Sequence, residues 1–502
     1  MEEREKRILL KSLVPVPREI SFEDAPDFVI REKAPLLLRF GGKKELLPAA
    51  EKMVLDSFKA FWNRTVKIKI ETAKKGIPVK EGYSITVEKS LLTISFSTLE
   101  GLRNALKTLR QLAEPVRNKA RTEDFALVAC TIKDSPAFDF RGIHFCVFPE
   151  TKLFDLEKKV RLAAYHKYNY AVIEVWGVFP FASHPEMCWK DRKIDLTELK
   201  RIIHVGKELG ITLCPQFNLL GHAAAARGST GKHAFLDFAP ELQTLFEPGG
   251  WTWCLTNPYT RQTLADIVLE LMDFFENPPY FHIGCDESLD FASCRTCRKS
   301  NREKLLLDHI TFFDELIRSR GARAIMWHDM LVEGGQGTPF EGYIAFGREE
   351  DGLGKLVKRL PKDIIIADWQ YGYPQGADGK EPHWPTGKVF RDAGLDVLAC
   401  PWLETRGIVS QAETAVKRKY LGLLETTWHQ THNYPQVYAQ FTVAANAAWR
   451  GGGTNVALTG PWSGYSIATH RHMREVCQDM GVTRYEETGF TEYQVFPDPF
   501  ES

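Results

Sequence analysis

Residues 280–287 read Tyr280-Phe281-His282-Ile283-Gly284-Cys285-Asp286-Glu287. A short apolar run ends in a glycine and two adjacent carboxylates. Such a run, bounded by turn residues, reads as a buried strand that opens into a loop. One strand fits many folds, so its neighbours decide. Upstream lie similar runs at Gly142–Val147, Tyr170–Val175 and Thr212–Gln216. Downstream lie Ala324–Trp327, Ile364–Ala367, Val397–Cys400 and Gly422–Thr426. Helical spacing of apolar residues fills the gaps, for example Leu156–Tyr165, Leu196–Leu209, Arg261–Phe275 and Lys304–Arg320. Eight β-then-α units predict an α/β protein built on a (β/α)8 TIM barrel. Tyr343–Phe346 and Asn455–Leu458 are further strand candidates. An open doubly wound sheet is the alternative, but no glycine-rich fingerprint follows the first strand.

Before this pattern the chain has another texture. Val66–Ile70, Tyr83–Val87 and Leu92–Phe96 alternate apolar and polar residues, as in a sheet with one wet face. Phe28–Ile30 and Leu36–Phe40 are extended, and Leu46–Phe61 and Thr98–Leu112 have helical spacing. This predicts a small α+β domain over residues 1–130, the barrel over 131–475 and a tail over 476–502.

The composition excludes several functions. Lys+Arg and Asp+Glu are both 65, a net charge of zero in 502 residues. No field of the whole molecule draws in nucleic acid or an anionic membrane. No apolar run is long enough to span a bilayer. The first twenty residues begin with charge and hold no apolar signal core, so the sequence predicts a cytoplasmic protein whose ten cysteines are mostly reduced. The 12 Trp and 31 Phe suit a large core or an aromatic-lined cleft.

In a (β/α)8 barrel the chemistry sits where the strands end. Those ends carry Glu174 and Trp176; Asn218 and Gly221-His222; Asp286-Glu287; Trp327-His328-Asp329; Asp368-Trp369-Gln370-Tyr371; Trp402-Leu403-Glu404; and Trp428-His429-Gln430. Two close carboxylates push each other's proton affinities apart, so one can remain an acid. A solvated loop pair, or Asp286 capping a helix, is the plainer reading.

His282-Ile283-Gly284-Cys285-Asp286-Glu287 resembles the H-x-G-x-D-E motif of glycoside hydrolase family 20, the β-N-acetylhexosaminidases. Pro15-Val16-Pro17, the segment from Thr98-x-x-Gly101 to Thr108-Leu109-Arg110-Gln111-Leu112, Ile132-x-Asp134-x-Pro136-x-Phe138 with Arg141-Gly142, and Gly221-His222 are similar to the family too. Phe179-Pro180 looks closest to the intracellular hexosaminidase D-like branch. The resemblance implies exo-acting, retaining hydrolysis of terminal β-linked GlcNAc or GalNAc, in which the substrate's own acetamido oxygen attacks the anomeric carbon. It implies that Glu287 is the acid and base and that Asp286 orients the acetamido group. It implies that Arg141 binds the 3- and 4-hydroxyls, that His222 backs Asp286, and that Trp327, Trp369 and Trp428 wall the pocket. No cofactor is implied. The implied partner is an N-acetylhexosaminide, with a homodimer left open and no nucleic acid or membrane.

The sequence departs from the family at three places. Cys146 stands where an Asp is common. Trp402-Leu403-Glu404 stands for Tyr-x-Asp, and Trp428-x-Gln430 for Trp-x-Glu. Tyr371 or the Trp402 indole is a candidate donor in place of the missing tyrosine, and Glu404 and Gln430 are candidate sugar contacts. Two other readings therefore stand beside the first: an exo-β-glycosidase with altered 2-position specificity, and a catalytically silent sugar-binding barrel. Cys294-x-x-Cys297 is half of a four-ligand zinc pattern that Cys188 or Cys254 would extend; free thiols are the alternative.

Overall fold

The computed structural model describes residues 10, 13–73, 77, 79–117, 123–189, 192–223, 235–374, 382–428, 434–452 and 464–482. They fall into two compact units.

The first unit is built on β1 (Glu19–Phe22), β2 (Phe28–Ile30), β3 (Ala34–Phe40), β4 (Val66–Thr72), β5 (Tyr83–Glu88), β6 (Leu91–Phe96), β7 (Glu114–Arg117), β8 (Glu123–Leu127) and β9 (Cys130–Asp134). Six strands form a mixed sheet in the order β1-β9-β5-β6-β3-β4; β2-β8-β7 form a smaller one. The alternating strands and both helices (Leu47–Trp62 and Leu99–Leu112) fall where the periodicity places them. The Thr98 side chain caps the second helix by accepting from the Gly101 N–H. That helix buries Leu102, Ala105, Leu106, Leu109 and Leu112, all 2% exposed or less. The sequence misses β1, β7, β8 and β9. They are short, and β7 carries a proline, so pairing partners and not periodicity make them strands.

The barrel unit closes eight parallel strands in order: β10 (Phe140–Val147), β11 (Tyr170–Val175), β12 (Thr212–Gln216), β13 (Tyr280–His282), β14 (Arg323–Trp327), β15 (Ile365–Trp369), β16 (Asp396–Cys400) and β17 (Gly422–Glu425). All eight barrel strands overlap the apolar runs of the sequence. Tyr343–Phe346 is not a strand, and Asn455–Leu458 lies outside the described residues. Side chains of Phe140, Val172, Ile325, Ile365, Leu398 and Leu424 fill the interior, with Phe140 stacked on Tyr170 at 4.8 Å. Among the described residues no helix is long and apolar enough to cross a membrane.

The expected boundaries at 130/131 and 475/476 differ from the compact units. The first unit gathers residues 1–137, 162–167 and 441–489. The helix Gly464–Asp479 runs unbroken through residue 475 and belongs to that unit. Arg110 grips Asp479 with two hydrogen bonds of 2.7 and 2.9 Å, and Arg471 donates to the Gln111 carbonyl. Buried Asp134 accepts from Lys167 and from the Trp449 indole, so one carboxylate joins all three segments.

Candidate active site

The expected strand through Gly284 ends at His282, because the backbone turns there. Gly284 has φ +65°, and a Cβ on it would lie 1.7 Å from Asn218 Oδ1. Cys285 (φ 75°) and Glu287 (φ 42°) also adopt left-handed backbone. For residues with a side chain this costs ~1–3 kcal/mol each and marks a loop held in place by its surroundings. Gly221 answers from the third strand's loop: a Cβ there would sit 2.0 Å from the Asp286 carbonyl oxygen. The two glycines bring His222 against the acidic pair.

His222 Nε2 lies 2.9 Å from Glu287 Oε2 and 3.4 Å from Asp286 Oδ2. The Asp286 side chain is 3% exposed and that of Glu287 31%, so one acid is enclosed and its neighbour is open. Trp251 packs on His222 at 4.6 Å and donates its indole N–H to the Glu287 carbonyl. Asp329 accepts from the Glu287 backbone N–H at 2.9 Å and from the Trp369 indole at 3.0 Å. Burial first, and the Asp286 charge second, push the Asp329 carboxyl up to about 6. This one side chain fixes both the Asp286-Glu287 loop and an aromatic wall.

That wall is continuous. Trp369 meets Tyr371 at 5.2 Å, Tyr371 meets Trp402 at 5.0 Å, and Trp428 meets Trp327 at 5.6 Å. The Trp428 indole donates to the Tyr371 hydroxyl at 2.5 Å. Burial pushes the Tyr371 hydroxyl well above its usual range, so it stays a donor. The Trp402 indole N–H is buried and has no hydrogen-bond partner among the described residues. Trp327 is fully buried against His282, so it supports the wall from behind.

Eight of the expected site residues therefore converge: Asp286, Glu287, His222, Trp327, Trp369, Tyr371, Trp402 and Trp428. Two do not. Arg141 is the second residue of β10, far from that strand's C-terminal end, and donates to the Phe138 carbonyl. Glu404 sits at the mouth, but its carboxylate accepts from the Gly407 N–H and caps the helix Thr405–Arg418. Gln430 lies outside the described residues. The sequence named Glu174, Asn218 and Asp329 only as strand-end residues. Glu174 is fully buried and bonded to His144 and Asn218, while Cys146 Sγ lies 3.5 Å from it. Trp251, on a loop between strands, carries no local signal at all.

A closed parallel barrel with a carboxylate pair at the mouth of its fourth strand, inside an aromatic wall, defines a (β/α)8 protein with a glycosidase-like site. Residues 195–451 match Glycosyl hydrolase family 20, catalytic domain, and residues 11–135 match Glycosyl hydrolase family 20, domain 2. The chain belongs to glycosyl hydrolase family 20. It is 24% identical over 223 residues to a chitooligosaccharidolytic β-N-acetylglucosaminidase of Bombyx mori, covering 41% of this chain and 36% of that protein. It is 24% identical over 223 residues to hexosaminidase D of Bos taurus, covering 42% and 57%. The matches thus span well under two thirds of these relatives. The fold resembles the family 20 exo-β-N-acetylglucosaminidase of Vibrio harveyi (TM-score 0.65, 16% identity, 94% of this chain and 78% of that one). It equally resembles a β-N-acetylhexosaminidase of Bacteroides fragilis (TM-score 0.65, 16% identity, 95% and 99%).

Proposed function

We propose that this protein is an exo-acting, retaining β-N-acetylhexosaminidase that removes terminal β-linked GlcNAc or GalNAc by substrate-assisted catalysis. The observation that carries this reading is the enclosed Asp286 beside the open Glu287 on one histidine nitrogen, inside an indole-rich wall. Glu287 protonates the leaving oxygen and then activates water. Asp286 holds the acetamido N–H and offsets the positive charge that develops on the cyclising intermediate. His222 and Asp329 keep both acids in register. The Tyr371 hydroxyl and the unpartnered Trp402 indole N–H are the donors for the acetamido oxygen, in place of the family tyrosine. We place the protein in the cytoplasm, a reading supported by ten cysteines among which the structure forms no disulfide.

The test varies the nucleophile. Stepwise fluorination of the N-acetyl methyl draws electrons from its oxygen and lowers the rate at each step. Asp286→Asn abolishes most activity, and a GlcNAc thiazoline binds far more tightly than substrate. Rates indifferent to fluorination, together with a 2-fluoro sugar trapped on Asp286, would overturn the mechanism and leave a glycosidase with an enzyme nucleophile.

A further inference from the structure

Directly behind the catalytic loop lies a cluster that the hydrolysis does not use. Cys254 Sγ lies 3.8 Å from Cys294 Sγ and 3.8 Å from Cys297 Sγ. A carboxylate oxygen of Glu247 completes the group, and all four ligand atoms lie within 4.8 Å of one another. Tetrahedral zinc with Zn–S bonds of about 2.3 Å places its sulfurs about 3.8 Å apart. The spacing is that of a coordination edge, far longer than a disulfide bond of about 2.05 Å. The Cys297 N–H donates to Cys294 Sγ, an arrangement that favours the thiolate.

A second observation points to the same ion. Glu247 is 1% exposed. Its Oε2 accepts from the Cys294 N–H, while its Oε1 is buried and meets no N–H or O–H donor among the described residues. A buried carboxylate oxygen that faces only thiols, which are weak donors, is poorly satisfied, and a cation among them would satisfy it. Arg295, Arg298 and Lys299, next to Cys294 and Cys297 in the chain, are exposed and lie outside the cluster. Cys188, the other thiol the sequence offered, is not in the group, nor are His282 and His328.

We propose that Glu247, Cys254, Cys294 and Cys297 bind a structural zinc ion. Four protein ligands close the coordination sphere, so the ion braces and does not react. What it braces is specific. Glu247 and Cys254 bracket the loop that carries Trp251 and Thr252. Trp251 holds the Glu287 carbonyl, and Thr252 lies 2.9 Å from Ser288. Cys294 and Cys297 lie on the segment that follows Glu287. The ion ties these two loops together and so holds the acid in place from behind.

The experiment uses the full chain, purified without added metal or chelator. Metal analysis finds about one zinc per chain, and thiol titration finds three thiols masked until a chelator is added. Exchange with cobalt gives intense thiolate-to-cobalt charge-transfer absorption and a tetrahedral d–d spectrum. Chelation lowers the melting temperature and kcat together, and added zinc restores both. Cys254→Ser removes one sulfur and weakens the charge-transfer band. If that variant does not fold, Glu247→Gln keeps all three sulfurs, retains the band and weakens the metal at least about tenfold. Folded protein without metal and without a cobalt charge-transfer band overturns the proposal. So does a mass two units low from a disulfide among the three cysteines. The cobalt spectrum is independent of turnover: a zinc protein without hexosaminidase activity sinks the functional reading and leaves this one standing.

Discussion

At the scale of single residues the two acids differ in exposure, and the proposed roles follow that difference. Asp286 is enclosed and Glu287 open, although they are neighbours in the chain and touch the same His222 nitrogen. Glu287→Gln keeps the shape and removes the titrating proton. General acid–base help of about 10²–10⁴-fold should disappear with poor leaving groups, and less with activated aryl glycosides. Steady-state rates on both substrate types check this; equal, near-wild-type rates would remove Glu287 from the role. His222 was legible because Gly221-His222 follows a strand in the sequence. For Arg141 the motif gives order along a strand and not the direction its guanidinium takes. Its guanidinium lies near the N-terminal end of β10, against Phe138.

At the scale of elements, strand ends aim the side chains and helix starts compete for them. Glu404 shows the competition. Read from sequence it faces the sugar, but at a helix N-terminus the unpaired N–H groups claim its carboxylate. Glu404→Ala should cost ~1 kcal/mol of stability, the usual value of a lost cap, and leave KM within about twofold. Chemical denaturation and substrate titration of one preparation separate the two effects. A large rise in KM with unchanged stability would return Glu404 to the sugar. Periodicity placed all eight barrel strands within a few residues, because their apolar runs are continuous and their spacing regular. β7 and β9 escaped it, being strands only through their partners in the sheets.

At the scale of the whole molecule, stability carries the imprint of the site. Asp329 is fully buried beside Asp286, and its carboxyl is pushed from 3.8 up to about 6. Its folded-state pKa is raised, so the protonated form favours the fold. That contribution is complete below about 3.8 and is lost as the pH rises through about 6. Asp329→Asn removes the titration and also leaves the Glu287 or the Trp369 N–H without its acceptor, at ~1–3 kcal/mol. Urea unfolding at pH 4.5 and pH 7 should show the wild type's advantage over the variant shrinking at the higher pH. A difference independent of pH would contradict the raised titration of this buried carboxyl.

The sequence by itself determined the strand-and-helix order, the barrel, the acidic pair and the indoles at the strand ends. All of these follow from local periodicity or from neighbours in the chain. Only the tertiary structure decided what meets across the chain. Trp251 reaches the Glu287 carbonyl from another loop, and Asp329 spans two walls of the site. Cys254 joins a pair forty residues away. Asp134 collects Lys167 and Trp449 from distant segments. The physical reason is that a strand's place in a barrel follows from apolar burial, which each segment carries in its own composition. A polar contact across loops depends on distances set only once every strand is in register.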